Sequence, residues 1–113
     1  MKAVNLRTGT TLATNVKVAD NIFTRMKGLL GKKELPTGDA LWIKPCFSVH
    51  TFFMKFPIDV IFLNKTNQVI AAVSNLTPNR ITRLYPQSFS VLELPPGTIV
   101  ASNIEVGDEI EIA

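Results

Sequence analysis

Residues 46 to 59 contain the chain's only cysteine, Cys46, its only histidine, His50, and an acid, Asp59, set between Ile58 and Val60. A thiol, an imidazole and a carboxylate are the residue types of a nucleophile, its base and an orienting acid. In a hydrolase or transferase built on them, Cys46 or Ser48 would attack, His50 would take the proton and Asp59 would hold the ring. Cys46 lies between Pro45 and Phe47, a setting that favours a buried, inert thiol over an activated thiolate. As a zinc ligand His50 would need three further donors. The chain has no CxxC or HxxxH spacing, and Cys46 would have to be joined by distant Asp59 and Glu93. Neither a metal nor a cofactor is therefore expected. A third role for His50 is structural, hydrogen-bonded to a backbone carbonyl or to Asp59 beneath Phe52, Phe53 and Phe56.

Asp59 precedes the run Val60-Ile61-Phe62-Leu63, and a carboxylate among such residues is expensive to bury without a partner. Arg80 and Arg83 could supply one, because a guanidinium takes a carboxylate bidentately; Asp59 or Glu93 would be the acid. In the structural version a buried ion pair ties the sheets together. In the functional version Arg80 faces a cleft as an anion anchor, with His50 and Asp59 beside it.

These side chains must be positioned by short strands. Ala3 to Leu6 and Leu12 to Val18 flank Arg7-Thr8-Gly9-Thr10, which predicts a hairpin. Asp20 is a plausible N-cap, and Ile22, Phe23, Met26, Leu29 and Leu30 follow at helical spacing up to Gly31. Leu41-Trp42-Ile43 is a strand stopped by Pro45. Ile58 to Leu63 and Val69 to Val73 are β-rich runs joined by Asn64-Lys65-Thr66-Asn67-Gln68, whose turn chemistry predicts a second hairpin. Ser88 to Leu94 alternates so that Glu93 shares a face with Phe89 and Val91. Val106-Gly107-Asp108 is a turn before a closing strand, Glu109 to Ala113. About seven short strands and one short α-helix, without βαβ alternation, predict a mostly β fold: an antiparallel sandwich or barrel with a helix across one end.

The length of 113 residues suits one domain spanning 1–113. One cysteine forbids an internal disulfide. Residues 1–55 carry nine Lys/Arg and three Asp/Glu, and residues 56–113 carry three and six, so the halves stand at +6 and −3. The basic residues are not interleaved with the aromatic or zinc-ligand patterns of nucleic-acid modules, and no GxGxxG or GxxxxGKS loop exists, so neither nucleic acid nor a nucleotide is an expected partner. No apolar run approaches the roughly 20 residues of a membrane span. Met1 to Thr10 has no signal-like apolar run, so the expected location is the cytoplasm, or the periplasm if a leader precedes the given residues.

The ordered blocks Gly28-Leu29-Leu30-Gly31, His50-Thr51-Phe52-Phe53-Met54, Pro57-Ile58-Asp59-Val60, Pro78 with Arg80, Val91-Leu92-Glu93-Leu94-Pro95-x-Gly97 and Gly107-Asp108 resemble the prokaryotic family named domain of unknown function 192. The resemblance runs from the helix near Asp20 to the C-terminus. It implies a compact β-rich sandwich or barrel with a short helix, and it implies no activity and no catalytic residues. Many members carry a signal peptide or lipoprotein anchor, a pattern from which this chain departs.

The leading expectation is a small binding module for a polar or anionic small molecule. His50, Thr51, Asp59, Arg80 and Glu93 would hold the ligand, with Phe52, Phe53, Phe56 and Trp42 as walls. The alternatives are the Cys46/His50 enzyme and a structural or protein-interaction domain. Oligomeric state is not encoded in any recognisable pattern.

Overall fold

The computed structural model describes residues 1–21, 29 and 31–113. Among the described residues eight strands are present: β1 Ala3–Asn5, β2 Thr10–Ala13, β3 Asn15–Ala19, β4 Asp39–Ile43, β5 Ile58–Leu63, β6 Val69–Leu76, β7 Ser90–Leu94 and β8 Ile110–Ile112. A short helix, α1, spans Thr98–Ala101. The strands form a three-stranded sheet, β2-β1-β8, and a five-stranded sheet, β3-β4-β7-β5-β6. The mostly β class read from the alternating segments is the observed one. The helical stripe expected after Asp20 falls on residues outside those described, except Leu29, which is buried.

Strand β5 is buried at every residue, and its period-2 geometry divides it between two cores. Ile61 and Leu63 face the three-stranded sheet and pack with Leu92, Leu94, Ala3, Leu12 and Ile110. Ile58, Val60 and Phe62 face the other way and pack with Val91, Val49, Met54 and Phe56. The five-stranded sheet is thus covered on one face by strands. On the other face, loop residues between β4 and β5 form the cover.

Two hairpins agree with the sequence reading. β1 pairs antiparallel with β2, and β5 with β6. The second turn is held by Asn64, whose Oδ1 accepts from the amides of Thr66 and Gln68. The stretch expected to run unbroken from Leu12 to Val18 is split at Thr14 between the two sheets. The amides of Thr14 and Asn15 both donate to the Gly38 carbonyl at 2.9 Å, turning the chain into β3. Gly38 has φ of 92°, and a Cβ there would lie 3.2 Å from Thr14 Oγ1, so this crossing favours glycine. β3 then pairs parallel with β4, the exception in an otherwise antiparallel arrangement. A parallel neighbour requires a long crossover, which residues 20–38 provide.

Candidate functional site

Thr51 organises the loops over the inner face of the large sheet. Fully buried, it donates its amide to Arg80 O at 2.8 Å and its hydroxyl to Thr77 O at 2.6 Å. The same oxygen accepts the Arg80 amide at 3.0 Å, and Thr51 O accepts the Asn79 amide. Val49 O accepts from Thr82, Phe47 O from Tyr85, and His50 stands opposite Ile81 in an antiparallel bridge. Residues 47–51 and 80–85 therefore form a two-stranded ribbon. Its inner side chains, Val49 and Thr51, are buried, and Tyr85 packs its ring 4.3 Å from that of Phe62.

His50 projects from the outer side, and Arg80, across the ribbon from Thr51, is also exposed. The His50 ring stacks on Phe52 with centroids 5.2 Å apart. Phe53 follows at φ 66°, with 84% of its surface exposed. Among the described residues the ion pairs are those of Arg7, so the guanidinium of Arg80 faces solvent without an acidic partner. The buried pair of Arg80 or Arg83 with Asp59 or Glu93 does not form. Both arginines lie on exposed positions of the ribbon, and Arg83 rests over the Tyr85 ring.

Asp59 finds its partners in backbone instead. Oδ1 accepts the amide of Asn75 and Oδ2 the amide of Ile99, each at 2.8 Å, with the carboxylate wholly buried. Asn75 has positive φ near the end of β6, and Ile99 opens α1, so one side chain pins two chain reversals. Glu93 is one register step away but on the opposite face. Asp59 stands opposite Leu94, whereas Glu93 stands between Leu41 and Val60 in the core beneath the ribbon. Glu93 is 5% exposed and has no hydrogen-bond partner among the described residues, and burial pushes its carboxyl from 4.5 up to about 7.

The five expected ligand residues thus fall into three places. His50 and Arg80 are both exposed on the ribbon that Thr51 fastens, His50 on its outer side and Arg80 across from Thr51. Asp59 lies on the far side of the sheet, and Glu93 is inside the near core. The four expected aromatic walls also separate: Phe52 and Phe53 are exposed, Phe56 belongs to the inner core, and Trp42 packs with the core between the sheets. Cys46 packs against the inner core, and its Sγ donates to Ser48 O at 3.1 Å, while His50 looks outward. Among the described residues no group of three or more His, Cys, Asp or Glu is placed to hold a metal ion.

Residues 3–112 match the model of domain of unknown function 192, described as an uncharacterized ACR. The chain belongs to this family. A UPF0127 protein of Pyrococcus furiosus is 34% identical over 117 residues, covering 96% of this chain and 95% of its own length. A UPF0127 protein of Thermococcus sibiricus is 34% identical, covering 96% of this chain and 72% of its own. Among solved structures, a protein of unknown function from Novosphingobium aromaticivorans superposes with a TM-score of 0.78 at 19% identity, covering 99% of this chain and 93% of that one. At that identity the likeness shows the fold alone. Family membership accordingly gives the architecture and assigns no reaction.

Two features of this family member escaped the sequence reading. The first is a polar cluster at the opposite end of the fold. Asp108 Oδ1 accepts from Arg7 Nε at 2.6 Å, and its Oδ2 accepts from Asn5 and from the Glu105 amide. The Arg7 guanidinium, first of all, holds the Asp108 carboxyl down at about 2, against the cost of desolvation. Gly107-Asp108 was legible as a turn, but a partner a hundred residues away was not. The second is a cavity of about 260 Å³ beside β3 and β4, with Val18, Leu29, Leu35 and Leu41 among its apolar walls and Lys17, Lys32 and Asp39 among its polar ones. It includes none of the expected site residues. No helix among the described residues is long and apolar enough to cross a membrane.

Proposed function

We propose that this chain is a small binding module whose working surface is the exposed part of the 47–51/80–85 ribbon, and that its ligand is polar or anionic. The observation that carries this reading is the exposure of both Arg80 and the stacked His50 and Phe52 on one small ribbon fastened by the buried Thr51. Arg80 offers planar donors to an anion, His50 offers a ring nitrogen, and the aromatic faces give van der Waals area. Thr51 positions them through backbone bonds and does not touch ligand. Asp59 and Glu93 support the sheet from which the ribbon is hung.

A thermal-shift screen of sugars, peptides and anionic metabolites tests the reading. The expected result is at least one ligand that raises Tm in the parent and fails to do so in Arg80→Ala and in His50→Ala. A screen without hits, or hits indifferent to both substitutions, would count against it. The Cys46/His50 enzyme is the runner-up. The Cys46 thiol donating to Ser48 O, with its sulfur packed on the core, favours an inert cysteine. Alkylation at pH 6 to 7 faster than that of free cysteine would revive the enzyme.

A further inference from the structure

The ribbon presents more apolar surface than an anion site requires. In an antiparallel bridge, directly opposed residues project from the same face, so Ile81 lies beside His50 on the outer side. Ile81 is 65% exposed, and it neighbours Phe52 through the His50 stack. Phe47 and Leu84, which stand across the ribbon from each other near the bond from the Tyr85 amide to Phe47 O, are also exposed. Phe53 stands out from the turn at the other end. Exposed large apolar side chains gathered on one small ribbon mark a contact surface.

The chain segments that carry these side chains hold one sign of charge. Residues 44–58 and 77–92 contain Lys44, Lys55, Arg80 and Arg83 and no Asp or Glu. Among the described residues no acid pairs with Lys55, Arg80 or Arg83. The exposed acids Glu105, Glu109 and Glu111 belong to the C-terminal segment, on the side of the three-stranded sheet.

These observations decide among occupants. A second copy docking by the same face would bring like charges together across a two-fold axis. A helical or extended peptide would need a groove or an open sheet edge, whereas Phe53 projects away from the fold at a turn. A fluid anionic surface needs no shape complement: it takes up apolar tips and meets cations with headgroup phosphates. We infer that the ribbon docks this protein reversibly on anionic phospholipid, with Phe52, Phe53 and Ile81 in the interfacial zone and Lys55, Arg80 and Arg83 at the phosphates. This rests on the ribbon being the binding surface, and it names the partner.

Flotation with vesicles tests it on the full chain. Vesicles of phosphatidylcholine with phosphatidylglycerol should carry the protein at least about tenfold more strongly than phosphatidylcholine alone, and added salt should weaken the binding. Phe53→Ser should reduce partitioning by about tenfold or more, and each of Arg80→Ala and Arg83→Ala by about fivefold. All three positions are exposed, so the fold is retained, which far-UV circular dichroism checks. Lys2→Ala, in the other sheet's neighbourhood, should bind as the parent does. Equal binding to both vesicle types, or equal loss in Lys2→Ala, would overturn the inference. If vesicles fail while inorganic phosphate or polyglutamate shifts the ribbon's amide resonances, the membrane partner is wrong and the anion-binding surface stands. If none of these probes binds, both readings fall.

Discussion

Asp59 and Glu93 are both buried carboxylates on adjacent central strands, yet their surroundings differ in kind. Asp59 receives two backbone amides and serves as a joint between the end of β6 and the start of α1. Glu93, with Leu41 and Val60 beside it, receives none among the described residues, and burial holds its carboxyl near 7. Burial alone does not tell what an acid does. A carboxyl whose oxygens both accept backbone amides ties chain segments together, and one left in an apolar core contributes in its protonated form.

The largest effect that would break this comparison is at Asp59. Asp59→Ala leaves two buried amides without acceptors, and a loss of about 3 kcal/mol is expected in urea unfolding. Next is the pH dependence set by Glu93. Its carboxyl titrates near 4.5 when unfolded and near 7 when folded, so the folded state binds the proton more tightly. The contribution is complete below pH 4.5 and is lost as pH rises toward 7, roughly 3 kcal/mol at most. Glu93→Gln should flatten that slope when unfolding is followed across this range. Asp108 has the opposite sign, its stabilisation being present above 3.8 and lost as pH falls toward 2. Thr51→Val should then cost about 2 kcal/mol, because it removes the hydroxyl that bonds Thr77 and Arg80 while keeping the shape. Smallest of all, the exposed His50 and Arg80 should each tolerate alanine within about 0.5 kcal/mol.

Local chemistry was legible and long-range pairing was not. The β5–β6 hairpin could be read because Asn64 to Gln68 is turn chemistry between two β-rich runs. The shared face of Val91 and Glu93 followed from a period of two. Whether Asp59 faced a cleft or a core was not legible, and its partners were sought among His50, Arg80 and Arg83. Backbone amides satisfy it instead, and an amide at Asn75 or Ile99 leaves no mark in the identity of those residues. Likewise, nothing in Leu12 to Val18 announces the break at Thr14, which depends on the carbonyl of Gly38. The strand parity that separates Asp59 from Glu93 was set by register between β5 and β7.

The central claim is that His50 and Arg80 form a working surface on a scaffold that does not need them. The urea-unfolding free energy of the His50→Ala/Arg80→Ala double variant, measured against the parent, tests it most directly. A difference within about 0.5 kcal/mol is predicted, since both side chains are exposed and the ribbon is fastened by Thr51 and backbone bonds. A loss of about 2 kcal/mol or more would contradict it and make these residues part of the fold's own support.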